Sequence, residues 1–319
     1  FTAEPSDARV RNRSFQLRVA ADDADNLVVA GRWAGPLNLG GETLGSRDYR
    51  ISFLFAARFD AEGRHLWSRS LRGEVRGGDL SVETLGTDAQ GNLALGGTAG
   101  RPGAPLGDHT WDTEGGEPYA LSLAAADGAT RWTQVLADTR GALTAVARTP
   151  EAGLAFAGHH LQRGFSFAGQ SLPEPRGLEA LLLAVTSAGE PRWARTFRGS
   201  SDEEQPKLVS DAQGNLTLGV VTDGTLELGG EVFQPRPRNE PRGELYLGRY
   251  AADGTHRWSR LVGNHTRFSS PFTAYGIAAQ PDGAVVYGVQ MTRASSFEVD
   301  GRTFNTAPGT DQLFLQLRP

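Results

Sequence analysis

Short apolar or alternating runs, separated by clusters of Gly, Asp and Asn, make up most of the chain. Val82-Glu-Thr-Leu85 alternates, Leu27-Val-Val-Ala30 and Leu93-Ala-Leu95 are continuously apolar, and Phe53-Leu-Phe-Ala-Ala-Arg-Phe59 and Leu181-Leu-Leu-Ala-Val185 are longer. Runs of this length, rich in Val, Leu, Phe and Tyr and bounded by turn residues, predict strands. No segment sustains an apolar period of 3.6, so almost no helix is expected. The chain reads as all-β.

Two phrases recur through these runs. The first is Asp60-Ala-Glu-Gly63 leading to Trp67, repeated at Gly128 and Trp132, Gly189 and Trp193, and Gly254 and Trp258. The Trp residues are 65, 61 and 65 positions apart. The second is Asp88-Ala-Gln-Gly-Asn-Leu93, which returns as Asp211-Ala-Gln-Gly-Asn-Leu216. Looser copies stand at Asp22 to Leu27, Pro150 to Leu154 and Pro281 to Ala284. Both phrases are tight-turn chemistry, with Gly and Asn supplying positive φ. Each unit of about 62 residues then holds four strands, the pattern of a propeller blade.

Five such units fill residues 1–319 as one domain, with repeats beginning near 15, 80, 142, 205 and 271. The last unit ends at Leu317, before its fourth strand. Residues 8–14 lie one period ahead of the Trp67 strand and are expected to supply it. The reading is a five-bladed β-propeller, closed when residues 1–14 complete the last blade, which removes an open edge. The competing reading is a fragment of a larger repeat array.

The alternating Asp-x-x-Gly-Asn and Asp-x-x-Gly-x-x-x-Trp phrases resemble bacterial β-propeller repeats of the SBBP type. That resemblance covers residues 15–319 and implies a secreted or surface protein, myxobacterial-like, such as a lipoprotein whose anchor has been removed. It implies no common activity. The Gly-x-x-x-Trp phrase is also similar to the tryptophan-docking motif of quinoprotein dehydrogenases, whose cofactor-holding residues have no counterpart here.

Composition narrows the chemistry. Net charge is −5 and the pI about 5.7, values that do not suggest nucleic acid, which needs a basic face. No apolar run reaches about 18 residues, so no membrane span is expected. There is no Cys, hence no disulfide, thiolate metal site or Cys nucleophile. Lys207 is the single Lys among 32 basic residues, which argues against a Schiff-base Lys.

Function is expected on the long, dissimilar connections between second and third strands and between fourth and first strands. The candidate partner-binding residues are Trp33, Trp111, His159, His160 and Arg163. The two Trp lie outside the register of Trp67, Trp132, Trp193 and Trp258, which is read as packing. His109 and His265 join the His pair on the same expected face, but adjacent His on a strand point apart, so no metal is assigned. The acidic stretch Asp22 to Asn26 aligns with the turn phrase and is read as a turn rather than a calcium loop. The resulting expectation is a non-catalytic, extracytoplasmic adhesion or scaffold module. It would bind a protein or surface-glycan partner and would need no cofactor. The alternatives are a lectin-like propeller with one sugar site per blade, and a glycosidase built on Asp79, Glu83 and Glu204.

Overall fold

A computed structural model describes residues 2–3, 16–48, 52–71, 81–99, 105–106, 109–110, 116–199, 204–222, 224–234, 244–265, 274–280, 283–292, 296–299, 302–305 and 310–317. These are strands and turns, with no helix among the described residues. The first sheet orders Gln16–Ala21, Leu27–Ala34, Ser52–Phe59 and His65–Ser70 as an antiparallel meander. The second repeats it with Thr84–Thr87, Leu93–Thr98, Pro118–Leu123 and Thr130–Val135. The third has Arg140–Arg148, Leu154–Leu161, Glu179–Val185 and Pro191–Phe197 in the same order. The fourth has Glu204–Ser210, Leu216–Thr222, Glu244–Tyr250 and His256–His265, extended by the hairpin Ser296–Val299 and Arg302–Asn305. Ala274–Ala279, Val285–Thr292 and Thr310–Leu317 form a three-stranded sheet.

The turn phrase works through its first Asp. Asp88 Oδ1 accepts the backbone N–H groups of Gln90 and Asn92, both at 2.9 Å, and its Oδ2 accepts the Asn92 side chain at 2.8 Å. Asp22 and Asp211 repeat the pattern with Asn26 and Asn215. Gly91 and Gly214 sit at φ of 75° and 78°. The acidic stretch at Asp22 is therefore a turn. Arg58 and Arg249 occupy one register on the third strands and pair with Asp22 and Asp211. Gln316 holds that register in the last repeat, and its amide donates to Gln280 at 2.9 Å.

The Gly-x-x-x-Trp phrase links successive repeats. Nε1 of Trp67 donates to the Ala125 carbonyl at 2.8 Å, Trp132 to Ser187 at 3.1 Å and Trp193 to Ala252 at 3.0 Å. Each indole lies on the turn Gly of the following repeat. A Cβ on Gly128, Gly189 or Gly254 would stand 2.7, 2.4 or 2.8 Å from the Trp ring. Two residues after the Trp, Arg69 and Gln134 donate to Asp127 and Gly189 carbonyls, making the grip two-pronged.

The connections between second and third strands carry small hairpins in every repeat, including Pro105–Leu106 with His109–Thr110 in the second. Leu37, Leu39, Phe165, Phe167, Leu226 and Leu228 bury these segments. In repeats 1, 3 and 4 these side chains anchor the hairpins, whereas Arg302–Asn305 of the fifth repeat is exposed.

The chain divides into two compact units. One comprises residues 1–146, 151–154 and 185–191, the other 147–150, 155–184 and 192–319. In the first, Val28, Ala30, Leu54 and Ala56 of repeat 1 pack with Leu93, Leu95, Tyr119 and Leu121 of repeat 2. In the second, Leu245 and Leu247 of repeat 4 pack with Tyr287 and Leu315 of repeat 5. Strand closure by residues 8–14 lies outside the described residues. The described N-terminal pairing is Thr2–Ala3 against Leu37–Asn38.

Candidate functional site

The first strands of repeats 1 and 2 bring Gln16, Arg18 and Glu83 together. Arg18 Nη2 donates to Glu83 Oε2 at 3.0 Å, and its Nε donates to the Glu83 carbonyl at 2.7 Å. Gln16 donates to Glu83 Oε1 at 2.9 Å and accepts the Val82 N–H. Behind them Tyr119 donates to the Ser81 carbonyl at 2.9 Å. Burial, and then the negative charge of Glu83, pushes the Tyr119 hydroxyl well above its usual range. Glu83 is thus an ion-paired acceptor, with its salt bridge half exposed. Asp79 and the Glu204 side chain, its expected partners in hydrolysis, lie outside the described residues.

Of the partner-binding candidates, Trp111 also lies outside the described residues. Trp33 is a strand residue, half-buried against the Leu37, Leu39, Phe53 and Phe55 cluster. His159 and His160 are strand residues too, within Leu154–Leu161. The placement of these three on loops is corrected: their strands run further than the apolar runs suggest. His160 is wholly buried and so cannot touch a partner. Its ring packs edge-on to Phe165, and neither ring nitrogen has a hydrogen-bond partner. Burial, and then the charge of His159, pushes its imidazole down to about 4. Arg163 alone of the described candidates is exposed, just past the strand end. The His residues are not brought together, and no cluster of three or more metal-ligating side chains occurs among the described residues.

Strand register explains part of this. Counting from Leu27 and Leu154, Trp33 and His160 share one position, held by Thr222 in repeat 4. Glu117, Glu179 and Glu244 share the facing register of the third strands, and all are buried. Glu244 pairs with Thr222 across the strands, so His160 and Glu179 hold the corresponding places in repeat 3. Glu179 accepts the Arg176 N–H at 3.0 Å, and Glu244 accepts the Tyr246 hydroxyl. A Glu six residues before the last apolar residue of three third strands was the available signal.

No protein-family model matches the chain, and no curated protein matches it. Solved structures of similar fold include a protein of unknown function from Dyadobacter fermentans, at 10% identity and TM-score 0.47, covering 91% of this chain and 80% of that one. The polysaccharide lyase Uly1 is 10% identical at TM-score 0.45, with 95% and 57% covered. An ulvan lyase described as a new polysaccharide lyase family is 8% identical at TM-score 0.44, with 94% and 70% covered. At these levels the likeness assigns no ligand, substrate or chemistry to this chain. The expectation that the chain is not an enzyme is nevertheless corrected: two of these three similar structures are lyases, and that expectation is withdrawn. Membership of the SBBP-type family receives no support from the family comparison.

Proposed function

We propose that the chain is a five-bladed β-propeller that serves as an extracytoplasmic platform for a cell-surface protein partner. The observation that carries this reading is how the recurring parts are used. Trp67, Trp132 and Trp193 rest on the next repeat's turn, Trp67 and Trp132 being only 7% and 8% exposed. They are therefore unavailable as stacking platforms for one sugar per blade. The hairpins of repeats 1, 3 and 4 are anchored by the buried Leu37, Phe165 and Leu226. What differs between repeats is the remainder of the connections, including 72–80, 111–115, 200–203, 235–243 and 266–273. Dissimilar loops on a repeated scaffold suit one asymmetric partner surface better than several equal sites. Five copies of the turn phrase support the blade count. The phrases resembling surface-protein repeats support the location.

The test is capture from the source organism's surface fraction, run beside a glycan array. The reading predicts one protein captured by the intact chain. It also predicts loss of capture when 111–115 and 235–243 are replaced by Gly/Ser linkers at unchanged melting temperature. Glycan binding without protein capture, or capture that survives both replacements, contradicts it.

A further inference from the structure

Two places before the docking Trp, the repeats carry His65, Thr130, Pro191 and His256. The two His occur in the repeats whose hairpins hold a Gly-Gly pair. Repeat 1 reads Leu37-Asn-Leu-Gly-Gly41 and repeat 4 reads Leu226-Glu-Leu-Gly-Gly230. Each pair lies directly on the His of its own repeat. A Cβ on Gly41 would stand 2.5 Å from Cε1 of His65, and one on Gly230 2.8 Å from Cε1 of His256. Gly40 and Gly229 sit at φ of 111° and 96°, where a side chain would be strained. Each ring also stands edge-on to the third-strand aromatic that it pairs with. His65 is 5.9 Å from Phe59, and His256 is 5.7 Å from Tyr250. The Tyr250 hydroxyl donates to the Leu228 carbonyl at 2.8 Å, tying the same hairpin down. Repeat 3 has Pro191 in place of the His and Ala168 in place of the first Gly, and a Cβ on Gly169 would meet nothing within 4 Å.

We infer that His65 and His256 are acid-sensitive clasps, each closed by its hairpin over a neutral ring, so that the hairpins of repeats 1 and 4 open in mild acid. Nε2 of both rings is buried with no hydrogen-bond partner among the described residues. An imidazolium carries N–H on both nitrogens, and a buried charged donor without an acceptor disfavours the closed form. No carboxylate among the described residues offsets that charge. Glu42 of the first hairpin and Glu227 and Glu231 of the other are exposed and pair with neither ring. In the turn before His65, Arg64 pairs with Asp60 and Glu62. In the turn before His256, Asp253 accepts the Thr255 N–H and lies near Arg257. Burial, and then the Arg195 guanidinium on the preceding fourth strand, push the His256 imidazole below 6.5, against a backbone hydrogen bond at Trp258. Tyr250 beside it is pushed well above its usual range by burial and stays neutral. The open form of the His256 clasp takes up a proton that the closed form refuses, so closure is complete above pH 6.5 and is lost as pH falls. Opening uncovers Leu37 and Leu39 in repeat 1 and Leu226 and Leu228 in repeat 4, all 5% exposed or less. Each clasp lies within one repeat and needs neither ring closure nor a partner.

Hydrogen exchange of the intact chain, read by mass spectrometry at pH 7.5 and 5.0 with rates corrected for pH, tests this. A short hairpin holds its own pairing poorly in water once it leaves the sheet, so the Leu37–Leu44 and Leu226–Phe233 pairings report opening. The clasps predict that both hairpins lose protection at pH 5.0, by up to about thirtyfold, the excess of charged over neutral imidazole for an open ring titrating at 6.5. The strands beneath, Ser52–Phe59 and Glu244–Tyr250, keep theirs. His256→Phe retains an aromatic ring under Gly230 and removes the proton site. It should hold the repeat 4 hairpin closed at pH 5.0 while the repeat 1 hairpin still opens. His65→Phe should do the reverse, so each variant is the control for the other. Unchanged protection of both hairpins in the wild-type chain overturns the inference. So does a loss shared equally by the strands beneath, or opening that survives the Phe substitution. Should a variant fail to fold, the wild-type comparison of hairpins with strands decides alone.

Discussion

Burial holds the imidazole of His160 neutral in the folded chain, its titration pushed down to about 4 from 6.5. The unfolded chain takes up a proton below 6.5 that the folded chain refuses until about 4. Stability is therefore complete above pH 6.5 and falls as pH drops through that window, by up to ~3 kcal/mol. Thermal unfolding between pH 7 and 4 should show this slope, and His160→Thr, the residue Thr222 supplies in the same register, should flatten it. The carboxyls of Asp22 and Asp211 behave differently. Burial raises them, but hydrogen bonds from Asn26 and Asn215, with Arg58 and Arg249 nearby, hold them below 3.8. Their contribution is lost only in stronger acid. Breaking one such pair, as in Arg249→Ala, should cost roughly 3–5 kcal/mol in urea unfolding. Replacing both members as Asp211→Gln and Arg249→Gln should recover part of that, because Gln280 and Gln316 fill these places in repeat 5. A double-mutant cycle with no coupling would contradict the assignment. These residues were unevenly legible. The Asp turn was readable because its chemistry is local, within five residues. His160 and the buried Glu register were not, since His, Trp and Thr at one position share no chemistry and Glu ordinarily signals surface.

Between elements, the grip of Trp on Gly joins one repeat to the next. Gly189 sits at φ of 83° with its Cβ position 2.4 Å from the Trp132 ring. Gly189→Ala is therefore expected to destabilise by more than the ~1 kcal/mol of a strained turn alone. Trp132→Ala should cost roughly 3–5 kcal/mol. Chemical denaturation of both variants checks this, and near-wild-type stability for either would refute the docking role. The sequence showed the Gly and Trp as one phrase, and that phrase predicted packing correctly. It did not show that Trp67, Trp132 and Trp193 meet the Gly of the following repeat, because that pairing depends on how sheets stack.

At the scale of the whole molecule, periodicity made the repeats visible, while strand alternation decides which flank each repeat offers its neighbour. That alternation leaves Leu17, Val19 and Phe314 open at the two ends of the series. The account's central claim is the proposal that five repeats close into one ring. Small-angle X-ray scattering of the monomer tests it directly. A closed, compact chain of 319 residues should have a radius of gyration of about 20 Å. A radius several ångström larger would indicate an open array and contradict the account.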